Sequence, residues 1–178
     1  MTSKNKYTKL AKRQTQLTNE KMTDSVYSTF GNKLRVRVCG LCLDNERLLI
    51  INHQGIKSGD FWAPPGGGLQ FGETVESCLE REFLEETGLE IEVLDFQLIC
   101  EFIHPPLHAI EMFFPVKIKQ GILKTGVDPE MMDKQIIQEV KFMSWTEITA
   151  LSPQSRHGIF NLVAESSKIL DLKGHFKL

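Results

Sequence analysis

No run of apolar residues in this sequence is long enough to cross a bilayer, which takes roughly 20 in succession. The opening stretch MTSKNKYTKLAKRQTQ carries charge but lacks the apolar centre of a secretory signal. Both absences lead to the expectation of a cytoplasmic protein with no membrane partner. An excess of basic charge is also missing: Lys and Arg number 21 against 23 Asp and Glu, for a net charge of −2 and a pI near 6.2. That balance gives no electrostatic reason to expect a nucleic acid duplex and suits a small soluble substrate better. Cysteine is scarce, with Cys39, Cys42, Cys78 and Cys100 set among apolar neighbours, so buried reduced thiols are expected. Cys39 and Cys42 have the spacing of a metal or redox pair, but in an extended strand an offset of three sends them to opposite faces.

What is present fits one globular domain: 178 residues, 41% hydrophobic and 25% charged. The sequence divides into residues 31–178, read as a single domain, and residues 1–30, a polar arm with Lys4, Lys6, Lys9, Lys12 and Arg13. The arm is expected to be mobile or at most a short peripheral helix.

The stretch from Gly67 to Leu89, GGLQFGETVESCLEREFLEETGL, organises the rest. A glycine-rich loop, Gly66 to Gly68, precedes a helix with Thr74 as N-cap, Glu76 in its first turn and Gly88 as C-cap. Glu82, Glu85 and Glu86 stand at offsets that bring them to one side of that helix. The apolar stripe begun by Val75, Cys78 and Leu79 continues at helical period into Glu82 and Glu86, so the core-facing stripe turns acidic halfway. Carboxylates gathered there need compensating positive charge, and a hard divalent cation supplies it through oxygen ligands. Glu76 and Glu80 read as an ordinary solvated face.

The pattern Gly67, five residues, Glu73, seven residues, then Arg81-Glu82-Phe83-Leu84-Glu85-Glu86-Thr87-Gly88-Leu89 resembles the Nudix hydrolase signature at every defined position. The resemblance implies an α/β fold, a Nudix-type α/β/α sandwich around a mixed sheet. It implies a pyrophosphohydrolase acting on a nucleoside diphosphate linked to another group, with Mg²⁺ or Mn²⁺ as cofactor. It makes Glu82, Glu85, Glu86 and the Gly67 carbonyl metal ligands, gives the proton-accepting role to a glutamate, either of the helix, where Glu85 and Glu86 stand, or at a further position, and pairs Arg81 with Glu73 as a brace. It also implies a small-molecule nucleotide substrate and, because the family often dimerises, a homodimer. Pro105, sixteen residues after Leu89, resembles a marker of the ADP-ribose pyrophosphatase subgroup, although a proline at a hairpin tip is the plainer reading. One departure stands out: Ile136 occupies the place where many members carry a further glutamate, leaving Glu101, Glu111 and Glu139 as candidates. For each, an edge-strand carboxylate facing water is the simpler account. The missing acid also keeps alive an alternative, a catalytically weak Nudix domain that senses a nucleotide.

Elsewhere, Leu34–Leu43 and Leu48–Ile51 read as a β-hairpin turning at Asp44 to Arg47, with Arg35 and Arg37 on one face. Arg35 and Arg37 can reach a substrate phosphate from there, although strand-end arginines more often snorkel to solvent. HQGIKSGD, His53 to Asp60, reads as a loop. Trp62 is either a base-stacking residue or a packing anchor. A strand region from Leu89 to about His104 and a second strand from about Ala109 to Lys119 flank Pro105-Pro106, with Glu111 in the second. Residues 120–135 read as a loop that covers the site. Glu139 to Trp145 reads as the last strand, Thr146 to Leu151 as a short helix, and Gly158 to Leu170 as a later helix. Asp171 to Leu178 reads as a fraying tail.

Overall fold

The computed structural model describes residues 24–57, 59–129 and 135–178. In chain order its elements are α1 (Asp24–Phe30), β1 (Leu34–Asp44), β2 (Arg47–Lys57), β3 (Gly59–Ala63), β4 (Gly66–Gly68), α2 (Val75–Thr87), β5 (Leu89–Val93), β6 (Leu98–His104), β7 (Leu107–Gly121), β8 (Ile137–Ser144), α3 (Trp145–Ala150) and β9 (Gly174–Lys177). Short 3₁₀ turns lie at Pro153–Ser155, Gly158–Asn161 and Ser166–Asp171.

The middle of the sheet is a parallel pair, β1 beside β7, with Leu34 opposite His108 and Cys42 opposite Val116. Outward from it the order is β3-β2-β1-β7-β6-β9, while β4 joins β1, β5 joins β7 and β8 joins β2. The β6–β9 pair is also parallel and the remaining pairs are antiparallel, so the sheet is mixed. Both faces are covered at residues 38–42 of β1 and 48–51 of β2, which is why those stretches are continuous apolar runs. Val38, Cys42, Leu49 and Ile51 pack with Cys78, Leu79 and Phe83 of α2 on one face. Cys39, Leu41, Leu48 and Ile50 pack on the other with Phe113, Ile148, Phe160 and Ile169. Cys39 and Cys42 therefore point to opposite faces, and all four cysteines are free and buried. Among the described residues no helix is long and apolar enough to cross a membrane.

The β1–β2 hairpin turns on Asn45 and Glu46, whose φ values of 46° and 63° match the twist of the flanking strands. At Gly40 a Cβ would strike the Phe83 ring, so glycine there lets α2 lie close against the sheet. The β6–β7 hairpin turns on a cis Pro105-Pro106 bond as a tight tip.

Several sequence-based expectations are corrected. His53 to Asp60 is not a loop: β2 runs on to Lys57 and pairs with β3, with a register shift between Gln54 and Lys57 that breaks the alternation. The single strand region after Leu89 is two strands, parted where Leu94 and Gln97 donate to Pro115 and Phe113 carbonyls. Gly158 to Leu170 forms no α-helix but two 3₁₀ turns, although Ile159 and Ile169 are buried as their spacing suggested. The tail does not fray, since β9 pairs with β6 and the Leu178 N–H donates to the Glu101 carbonyl at 2.9 Å. Within the polar arm, residues 24–30 form α1, which buries Val26 and Phe30, while residues 1–23 lie outside the described residues. The loop expected over residues 120–135 is described up to residue 129, with residues 130–134 outside it.

Candidate functional site

The site is built on α2 and the glycine strand in front of it. Thr74 caps the helix, accepting from the Ser77 N–H at 3.1 Å, while the Ser77 hydroxyl accepts from the Thr74 N–H at 3.0 Å. Gly88 ends it in the left-handed conformation, φ 72°, with its N–H donating to the Leu84 carbonyl. The last carbonyls are taken by the following loop: Lys124, Gly126 and Val127 donate to Thr87, Glu86 and Glu85.

Between these caps the acidic stripe falls where its spacing placed it. Glu82 and Glu86 are buried on the core side, and Glu85 is half-buried beside them. Arg81 gathers the acids: Nε and Nη2 donate to the two Glu73 oxygens at 2.9 and 3.2 Å, and Nη1 donates to Glu82 at 2.8 Å and Glu85 at 3.1 Å. Those bonds hold the Glu73 carboxyl below the ordinary range. Three carboxylates share one guanidinium. Arg81→Met is therefore expected to reduce unfolding free energy by about 1–3 kcal/mol, the cost of stranding partly buried acceptors, as read from urea denaturation.

Gly66 to Gly68 form a short buried strand instead of an open loop. The Gly66 N–H donates to Glu86 Oε2 at 2.9 Å, and the Gly68 carbonyl faces the Cys78 thiol and Arg81. Gly67 sits so near the Glu82 carboxylate that any Cβ would overlap it.

This cradle is one wall of a cleft of about 820 Å³, open to solvent. Glu82, Glu86 and Gly67 line it, and Phe30, Ile56, Phe61, Phe102 and Leu107 add an apolar, aromatic surface. Arg35 and Arg37 also line it, and the Arg35 guanidinium lies 3.9 Å over the Phe30 ring. Asp128, from the loop after β7, reaches the cleft, and Ile136 lines it where an acid was expected.

Glu111 is not an edge residue facing water. It stands on central β7, opposite Arg37 of β1 and Cys100 of β6, and is 5% exposed. Its carboxylate lies 3.4 Å from Arg37 Nε and 2.8 Å from His157 Nε2. Burial alone would push its pKa up, but His157 and then Arg37 outweigh burial and hold it below the ordinary range. Arg37 does not snorkel to solvent, since Nη2 donates to the Gly66 carbonyl at 2.8 Å. Glu101 and Glu139 do not join this cluster; Glu101 lies near His108 and His175, and Glu139 pairs with Lys141. Trp62 is a packing anchor: it is buried in the core behind β3, with Lys141 Nζ 4.7 Å over its ring, and does not line the cleft.

Two histidines were missed. His157 lies just before the segment read as a helix, in a polar stretch offering no sequence signal. His53 lies in the segment taken for a loop, with Nε2 3.8 Å from Glu86 and Nδ1 buried without a hydrogen-bond partner.

The donor set suits a hard cation. Burial first, and then the neighbouring Glu86, push the Glu82 carboxyl up to about 8, so the pair calls for positive charge, and every donor is oxygen. Among the described residues no three acidic, His or Cys side chains are gathered as a metal shell, and Arg81 Nη1 donates to both Glu82 and Glu85. Ligation by all three glutamates therefore requires Arg81 to give up Nη1 while keeping its grip on Glu73.

Fold and site together define a Nudix-type α/β sandwich. A NUDIX domain family model matches residues 33–164, and the chain belongs to that family. The family generally uses divalent metal ions and acts on small nucleotides. A NUDIX hydrolase from Nitrosomonas europaea shares the fold at TM-score 0.62 and 19% identity, covering 73% of this chain and 85% of that one. An ADP-ribose pyrophosphatase from Streptococcus suis does so at TM-score 0.55 and 15% identity, covering 80% and 98%. In sequence, an ADP-ribose pyrophosphatase of Methanocaldococcus jannaschii is 33% identical over 97 residues, 52% of this chain and 56% of that protein. The chain thus matches about half the length of that curated relative.

Proposed function

We propose that this protein is a metal-dependent pyrophosphohydrolase that cleaves a nucleoside diphosphate linked to another group, of which ADP-ribose is the leading example. The observation that carries the reading is the lining of the cleft, which brings Glu82, Glu86 and Gly67 together with Arg37 and several aromatic side chains. A diphosphate bound near Arg37 places a planar base against Phe30, Phe61 or Phe102. The curated relative named for ADP-ribose supports that substrate.

Glu82, Glu85, Glu86 and the Gly67 carbonyl would hold Mg²⁺ or Mn²⁺, which when bound neutralises the diphosphate and activates a water. Glu85, the most exposed of the three acids, is best placed to take that water's proton. Arg81 and Glu73 keep the loop and helix in register. Arg37, drawn to Glu111 by charge and hydrogen-bonded to the Gly66 carbonyl, orients phosphoryl oxygens with little further loss of side-chain freedom. The products are a nucleoside monophosphate and a phosphorylated remainder. We also take residues 31–178, with α1 packed onto them through Val26 and Phe30, as one unit acting in the cytoplasm, with a homodimer as the assembly.

The test is a panel of ADP-ribose, a nucleotide sugar, a dinucleoside polyphosphate and nucleoside triphosphates, incubated with Mg²⁺ with and without chelator and assayed for nucleoside monophosphate. Chelator-sensitive cleavage, strongest for ADP-ribose, is expected. No cleavage with Mg²⁺ or Mn²⁺, alongside a nucleotide that still raises the melting temperature, would replace hydrolysis with sensing.

A further inference from the structure

His157 lies outside the loop and helix that carry the acids, in the turn after α3, yet it is 3% exposed and its ring lines the cleft. The segment is fixed by its backbone, since the His157 N–H donates to the Trp62 carbonyl at 2.8 Å and Arg156 bridges to Trp62. The ring is stacked on Phe102 at 6.0 Å between centroids, with Phe61 and Phe113 at 6.2 and 5.9 Å.

The two ring nitrogens have different work. Nδ1 accepts from the Ile159 N–H at 3.2 Å, so in the neutral ring the proton sits on Nε2. Nε2 lies 2.8 Å from Glu111 Oε2 and therefore donates to it. Neither nitrogen is left to take a proton from water, which rules the ring out as a base in this arrangement. On the other side of Glu111, Arg37 Nε is within charge-pairing distance but makes no hydrogen bond and is buried. The Arg37–Glu111 contact is thus an attraction without directional hold, and the direction of the carboxylate comes from His157. Arg37 then donates to the Gly66 carbonyl, and the Gly66 N–H donates to Glu86.

We infer that His157 is a positioning residue: its Nε2–H fixes the Glu111 carboxylate, which sets the Arg37 guanidinium that faces the diphosphate and steadies the glycine strand beside Glu86. The activity arm of this inference rests on the proposed hydrolysis. Through the chain of contacts the segment after α3 becomes part of the site, and it settles how Arg37 is presented.

The experiment compares His157→Phe, which keeps the aromatic packing and removes the donor, with His157→Gln, whose amide N–H can still reach Glu111. With the substrate identified by the panel, His157→Phe is expected to lower kcat/KM about tenfold or more, as expected when a buried carboxylate loses its donor, and His157→Gln to recover most of it. Combining His157→Phe with Arg37→Lys should cost no more than Arg37→Lys alone, because both act through one guanidinium. Long-range ¹⁵N–¹H spectra of the histidine rings should show the Nε2–H tautomer for His157 in the wild type. Wild-type kcat/KM in a folded His157→Phe protein, losses that multiply in the double variant, or an Nδ1–H tautomer would each overturn the inference. If no compound in the panel is cleaved, the hydrolase reading fails by itself and the ring spectra decide this one.

Discussion

Glu86→Gln is expected to leave a folded protein whose turnover falls by about two to three orders of magnitude, or roughly 3–4 kcal/mol in the activation barrier. The glutamine oxygen can still accept the Gly66 N–H that Glu86 Oε2 accepts at 2.9 Å, so the glycine strand keeps its anchor. The change removes charge from a buried pair in which Glu82 is already pushed up to about 8 by burial and by Glu86. Without a cation the variant should melt at the same temperature as the wild type or above it, since the buried Glu82 carboxyl loses a like-charged neighbour. Glu85→Gln acts in the same direction. Steady-state rates on the substrate found by the panel, taken with melting curves in chelator, check both halves; near wild-type turnover in both variants would sink the metal assignment.

Gly67→Ala should do comparable damage with one methyl group. A Cβ at Gly67 would lie on the Glu82 carboxylate, and the residue is fixed on both sides, by pairing with Val38 of β1 and by the Gly66–Glu86 bond. The strand cannot retreat, so Glu82 must turn away, breaking its 2.8 Å bond to Arg81. Overpacking of this kind costs about 1–3 kcal/mol of stability. A displacement on the order of 1 Å at a reacting centre costs about 100-fold in rate. Melting temperature and kcat measured together should show the rate far more affected than the fold. An active Gly67→Ala enzyme would mean that the Glu82 carboxylate works somewhere other than against Gly67.

The helix from Val75 to Thr87 and its caps were legible because what sets them is local, whereas the glycine run expected as a loop became a strand through its pairing with β1. Thr74, Gly88 and the spacing of Arg81, Glu82, Glu85 and Glu86 act within a few turns of one another. Arg37 and Glu111 could be singled out, but their pairing could not. It arises from the parallel register of β1 and β7, which no nearby residue encodes, and that register moves Glu111 from an imagined edge to the centre of the sheet. The segment Gly158 to Leu170 misled because its apolar spacing serves burial under the sheet while the backbone takes two 3₁₀ turns. β9 is short and polar and exists because β6 offers it an edge. His157 had no signal, since its meaning comes from Glu111, far away in sequence.

The parallel pairing of β1 with β7 has a kinetic consequence. The β1–β2 hairpin and the capped acidic helix can form from neighbouring residues, whereas bringing Leu34 beside His108 requires closing a long loop that contains both the helix and β5. Arg37 and Glu111 meet only when that loop closes. The acidic helix is therefore specified by local contacts and the positive wall of its cleft by a long-range register, so a chain lacking that register would carry the family's signature in full without a place to put a diphosphate.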